Sequence, residues 1–123
     1  IVILDKLTYA GNLGTIREEL KDSRVSFVKG DICNKELVEN ADWMMCEAFC
    51  KYADRDIFHP YEKHHSTVKE ACQLAEELQI PHLILYHTEE MHLKERKELY
   101  TREGREYYHG KLFVPDDLEV FEL

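Results

Sequence analysis

Short apolar runs, each too brief for a helix and each followed by a stretch of helical spacing, restrict this chain to a small set of folds. Residues 1–4, Ile-Val-Ile-Leu, form a continuous and largely β-branched run closed by Asp5. That pattern predicts a strand buried on both faces of a parallel sheet. After the loop Thr8-Tyr9-Ala10-Gly11-Asn12, Ile16 and Leu20 lie one helical turn apart, which predicts a short helix over residues 15–21. Residues 25–28 read as a second strand closed by Gly30-Asp31, and residues 35–39 as another brief helix.

The alternation continues. Residues 41–46, Ala-Asp-Trp-Met-Met-Cys, predict a third strand ending at Glu47, with a helix as the alternative their methionines allow, and residues 54–63, with Pro60, read as loop. Ser66 is a candidate N-cap for a helix whose apolar positions Val68, Ala71, Cys72, Ala75 and Leu78 keep helical spacing and stop before Pro81. Residues 83–86 predict a buried strand. Thr88 then caps a charged helix over residues 90–107, weakened by Gly104. Residues 111–114 and 118–121 read as closing strands around the turn Pro115-Asp116-Asp117. The expected class is therefore α/β, a mostly parallel sheet of about five strands with helices packed on it and an antiparallel hairpin as an option at the carboxyl end.

At 123 residues and 44% hydrophobic content, the chain suits a single domain, 1–123, around one core. Its net charge of −9 opposes binding to phosphate backbones and anionic lipid, so neither nucleic acid nor a membrane is an expected partner. Four cysteines are too few for a disulfide framework, and reduced thiols are expected. No run reaches the length of a membrane span and no basic-then-apolar leader opens the chain, so a soluble, cytoplasmic protein is expected. The chain opens at Ile1 inside a strand, which reads as the loss of an upstream segment.

An acidic residue at the end of a strand in a doubly wound sheet can bind the ribose of a dinucleotide, and Asp5 is placed for that role. The segment Val2-Ile3-Leu4-Asp5-Lys6-Leu7-Thr8-Tyr9-Ala10-Gly11-Asn12-Leu13, followed by Phe27-Val28-Lys29-Gly30-Asp31-Ile32-Cys33, resembles the extended short-chain dehydrogenases, and within them the dTDP-glucose 4,6-dehydratases. The resemblance covers residues 1–39. It implies that Asp5, Lys6, Thr8 and Gly11 lie near the ribose and phosphates of NAD and that Asp31 and Ile32 edge the adenine. The glycine-rich turn that receives the pyrophosphate in that family would precede Ile1, so this half-site is not expected to retain NAD. Tyr107 and Lys111 repeat the spacing of that family's catalytic pair, but Gly110 intervenes and the surrounding sequence follows a different family.

From residue 42 onward the resemblance changes. Cys46-Glu47-Ala48-Phe49, then His64-His65-Ser66-Thr67-Val68-Lys69-Glu70-Ala71, then Leu83-Ile84-Leu85-Tyr86-His87-Thr88, resemble the carboxyl-terminal part of metallo-β-lactamase-fold hydrolases of the ribonuclease Z-like branch. By that resemblance, His87 matches a zinc ligand, while Glu47 and His65 match a pair that assists proton transfer. Phe49 stands where that branch has threonine. The family's His-x-His-x-Asp-His cluster has no counterpart in the chain, and a catalytic zinc needs about three protein ligands. His64 with Cys46 or Cys50 could join by rearrangement. The plainer readings are helix-capping His64 and His65, a hydrogen-bonded His87, ordinary thiols, and solvated His59, His82, His92 and His109.

The sequence thus reads as a mosaic joined near Asn40, carrying a partial NAD site and a partial metallo-hydrolase site and no intact activity. The alternatives are a zinc-dependent hydrolase completed by another chain and a weak nucleotide-binding module. Zinc is the cofactor left open, NAD is not expected, and unpaired sheet edges predict a homo-oligomer.

Overall fold

The computed structural model describes residues 1–8, 11–31, 34–39 and 41–120. Contacts divide the chain into two compact units, Ile1–Glu39 and Asn40–Leu123.

In the first unit, β1 (Val2–Asp5) and β2 (Ser26–Lys29) pair in parallel, with Val2 opposite Ser26 and Asp5 opposite Lys29. The connection expected as one helix is instead two 3-10 turns, Leu13–Ile16 and Glu19–Lys21. Asn12 caps the first by accepting from the Gly14 N–H. That short-range bond favours a tight turn at the point where an α-helix was predicted. After β2 comes α1 (Lys35–Val38), a single turn capped by Asn34. The β1 run is a strand as expected, but not a doubly buried one: Ile1 and Val2 are 75% and 68% exposed. With two described strands, the unit has little surface to lay against them, and none of its described residues is fully buried.

The second unit holds a three-stranded parallel sheet in the order β3 (Trp43–Glu47), β4 (His82–Tyr86), β5 (Lys111–Phe113). Central β4 carries Leu83, Ile84 and Leu85, all buried, as its uninterrupted apolar run requires. Between β3 and β4 come the short α2 (Arg55–Phe58), a 3-10 turn at Pro60–Lys63, and α3 (Val68–Glu77). The apolar face of α3 (Val68, Ala71, Cys72, Ala75) packs on β3 and β4. Its N-cap is Thr67 rather than Ser66: Thr67 and Glu70 form a reciprocal capping box. α4 (Arg96–Gly104) packs on α3 and β5. It starts well after Thr88, whose hydroxyl instead accepts from Nη1 of Arg96.

Gly104 closes α4 rather than weakening its middle. A Cβ at Gly104 would meet Cδ2 of Leu112 and stand 3.0 Å from Sγ of Cys72, so its small size lets α4 approach the sheet. Tyr100 and Tyr108 are fully buried, and their hydroxyls donate to the carbonyls of Phe49 and Ile80.

The α/β class and the parallel strands are as the sequence predicts, but the five strands of the described residues lie in two sheets rather than one. The carboxyl-terminal hairpin does not form among the described residues. β5 runs parallel to β4, and Leu118 sits in a turn with φ 66°, 98% exposed.

Candidate functional site

Parallel pairing decides which side chains meet at the carboxyl ends of β3 and β4. Glu47, the last residue of β3, lies opposite Tyr86, and the Ala48 N–H donates to the Tyr86 carbonyl. His87 follows at once and takes φ 53°, a left-handed conformation that ends the strand. The segment before α3 is laced alongside. Phe49 N–H donates to the Ser66 carbonyl, Cys50 bridges to Thr67, and the Ser66 hydroxyl donates to the Glu47 carbonyl. His65 is thereby carried to the same strand end.

The result is a cluster of three side chains from three separate stretches of sequence. Oε2 of Glu47 lies 3.1 Å from Nδ1 of His65 and 3.2 Å from Nδ1 of His87, and Oε1 accepts from the Ser66 N–H at 3.0 Å. Burial pulls the Glu47 carboxyl upward, but the hydrogen bonds from His65, Ser66 and His87 together outweigh it and hold the group below its ordinary value. An ionised carboxylate only accepts, so each ring faces it with Nδ1–H as the donor, and Nε2 is the ring atom that a neutral imidazole could then offer to a ligand. Two imidazoles and a carboxylate, with donor atoms within 4.8 Å of one another, match the ligand chemistry of zinc. With Nδ1 of each ring held on the carboxylate instead, Glu47 would not be a ligand but the support that metal-ligating histidines commonly have.

The additional ligands considered from sequence do not join this cluster. Among the described residues, the group able to hold a metal is Glu47, His65 and His87, and His64 is exposed with φ 60°. Burial is the main cause that pushes the Cys46 and Cys50 thiols up to about 11, which disfavours the thiolate a metal requires. Of the histidines read as solvated, His59 and His109 are exposed. His82 instead stacks on Trp43 at 4.4 Å, and His92 is half-buried with Nε2 3.7 Å from Asp54. Ser66 and Phe49 support the cluster without having been singled out as site residues. Neither residue type announces such a role in sequence.

In the first unit, Asp5 and Gly11 line one open cleft of about 190 Å³ with Ile3, Leu7, Asn12 and Phe27. Oδ1 of Asp5 accepts from the Leu7 N–H at 2.6 Å, and the Thr8 carbonyl accepts from the Gly11 N–H at 3.0 Å. A Cβ on Gly11 would fall 2.6 Å from Cα of Leu7. Lys6 and Asp31 form an ion pair at 2.5 Å rather than lining the cleft, and Ile32 lies outside the described residues. Tyr107 and Lys111 are not on one helix: Tyr107 follows α4 and Lys111 opens β5.

Known proteins are similar to this chain in two different ways. A dTDP-glucose 4,6-dehydratase from Actinoplanes sp. is 49% identical over 39 residues, 32% of this chain and 12% of that protein. A dTDP-glucose 4,6-dehydratase from Streptomyces antibioticus is 42% identical over 64 residues, 49% of this chain and 18% of that protein. The chain therefore spans less than a fifth of the length of these curated relatives. A metallo-beta-lactamase fold protein, YhfI of Bacillus subtilis, is similar in structure with TM-score 0.51 and 21% identity, over 66% of this chain and 31% of YhfI. That likeness concerns the fold. No family model matches the chain. The chain thus carries a partial likeness to dehydratase sequences and a fold likeness to metallo-beta-lactamase proteins. Since 49% and 66% together exceed the whole chain, the two likenesses overlap rather than meeting at one border.

Proposed function

We propose that this chain has no complete catalytic activity of its own and that its second unit carries part of a metal-dependent hydrolase site. In this reading His87 is a metal ligand, and Glu47 with His65 is a proton-handling pair. The observation that carries it is the single Glu47 oxygen, at the end of β3, that lies within hydrogen-bond reach of Nδ1 of both His65 and His87. The carboxyl ends of parallel strands are where open α/β sheets place their ligands. Zinc bound there would act as a Lewis acid and lower the pKa of a coordinated water. Residues 1–123 hold no His-x-His-x-Asp-His run, so the ligand set would be completed from outside them, in this reading by another chain.

Metal analysis and zinc titration test the proposal directly. About one zinc per chain, lost in His87→Ala, is expected, together with no hydrolysis of bis(p-nitrophenyl) phosphate by the chain alone. Absence of zinc binding in the wild-type protein would sink the metal site. Turnover by the purified chain would sink the incompleteness.

A second, weaker reading is nucleotide binding by the first unit, favoured by the cleft that joins Asp5 and Gly11. Calorimetry with NAD at millimolar concentration should give a small heat that Asp5→Ala removes; no heat from wild type ends this reading. Sheet edges support homo-oligomer formation: among the described strands β3 and β5 each pair on one side, and Met45 of β3 is 63% exposed. Sedimentation showing only monomer at high concentration would count against it. The net charge of −9 speaks against a nucleic-acid partner, and no described helix is long and apolar enough to cross a membrane.

A further inference from the structure

Two imidazoles share one carboxylate oxygen at the strand ends, and a hydrogen bond alone fixes a ring poorly. The terminal torsion of a histidine is broad and two-fold, so a ring can flip or tilt and still find an acceptor. Something must set the planes of both rings. The ring of Phe49 lies stacked on His65, with centroids 4.8 Å apart and planes 21° apart. The same ring meets His87 edge to face at 5.9 Å and 66°, while His65 and His87 meet each other at 4.9 Å and 87°.

We propose that Phe49 is the positioning residue of the Glu47, His65 and His87 cluster, fixing the planes of both imidazoles so that each keeps its Nδ1 on the carboxylate and its Nε2 outward. Its consequence for metal affinity rests on the metal-site reading above; its effect on the rings does not.

Phe49 is itself held firmly enough to serve. Its N–H donates to the Ser66 carbonyl at 2.9 Å, and its carbonyl accepts from the Glu89 N–H at 2.7 Å and from the buried Tyr100 hydroxyl at 3.0 Å. Phe58 of α2 braces the Phe49 ring edge-on at 6.1 Å. The backbone of Phe49 is thus tied to the turn before α3, the segment after β4, and α4. Ring stacking on such a platform selects one rotamer plane for His65, and His65 in turn limits His87. Threonine at this position, as in the hydrolase branch the sequence resembles, would offer no flat face.

The test reads the rings first without metal. Long-range proton–nitrogen NMR of 15N-histidine protein should show His65 and His87 each as one fixed Nδ1–H tautomer in wild type and in Phe49→Tyr. Phe49→Ala should show mixed tautomers for both rings, with Phe49→Leu in between, because it keeps bulk but loses the flat face. Zinc titration of the same proteins should then place Phe49→Ala about three- to tenfold weaker than wild type, the scale of one lost aromatic pair, with Phe49→Tyr restored. A folded Phe49→Ala protein with wild-type tautomers overturns the proposal, and if that variant fails to fold, wild-type tautomers in Phe49→Leu overturn it equally. Fixed tautomers in a wild-type protein that takes up no zinc would remove the metal site and leave the role of Phe49 standing.

Discussion

Glu47 and His87 stand 40 residues apart in sequence, yet Oε2 of the first lies 3.2 Å from Nδ1 of the second. The contact follows from parallel register: β3 and β4 end level, with Glu47 opposite Tyr86, and the next residue turns back through a left-handed φ. His65 reaches the same oxygen by another route, through the backbone lacing of Phe49 and Cys50 to the turn before α3. One carboxylate therefore ties together three chain segments, and its removal should be felt in stability as well as in metal binding.

Glu47→Ala is expected to destabilise the second unit by about 1–2 kcal/mol, since it strands the half-buried Ser66 N–H and both Nδ1–H donors. Glu47→Gln keeps one acceptor oxygen and should cost less. Urea titrations of the three proteins check this ranking. Equal midpoints for wild type and Glu47→Ala would mean the carboxylate is not a structural tie.

The sequence was informative where one segment decides its own structure. The apolar run of β4 and the helical spacing of α3 are local properties, and both elements lie where the residues predict. The 3-10 turns at Leu13–Ile16 and Glu19–Lys21 differ from the expected helix because two apolar residues one turn apart cannot tell an α-helix from tighter turns, the first of them capped by Asn12. The division of five strands into two sheets is a long-range property that no single segment encodes. Glu47, His65 and His87 stand out in the sequence only through resemblance to a family, and what the structure adds is that the three side chains meet. Phe49 was seen only as a departure from that family, since stacking on His65 depends on pairing between distant segments.

The capping box at the start of α3 gives a pH-dependent prediction. Burial raises the Glu70 carboxyl, but hydrogen bonds from the Tyr61 hydroxyl and from Thr67 outweigh it and hold the group below its ordinary value. The folded state therefore binds its proton less readily than the unfolded chain, and stability rises with pH through this range. The contribution is fully present above the ordinary value of 4.5 and is lost as pH falls through the lowered folded value. Glu70→Gln should be less stable than wild type by about 1 kcal/mol at pH 7, with the gap closing toward pH 3. Thermal melts of both proteins across that interval check it; a gap independent of pH would exclude a charged cap.

Three buried or half-buried thiols should be inert in the folded protein. Desolvation is the first cause that pushes Cys46 and Cys50 up to about 11 and Cys72 up to about 12, so little thiolate exists near neutral pH. In a Cys33→Ser background, the disulfide reagent DTNB should label none of the three within minutes at pH 7.5 and all three at once in urea. Fast labelling of one thiol without denaturant would contradict the burial of that residue.

Packing in the second unit is tight where α4 meets β5. A methyl group at Gly104 would press on Leu112 and approach Sγ of Cys72, both of them buried. Overpacking of this kind costs about 1–3 kcal/mol, whereas alanine gains up to about 1 kcal/mol over glycine in a helix. The steric cost should win, so Gly104→Ala is expected to be less stable by about 1 kcal/mol. If the clash is the cause, adding Leu112→Val, which shortens the blocking side chain, should recover part of that loss rather than add its own full cost. A double-mutant cycle read by chemical denaturation decides between these outcomes, and strictly additive losses would place the effect of Gly104→Ala elsewhere than against Leu112.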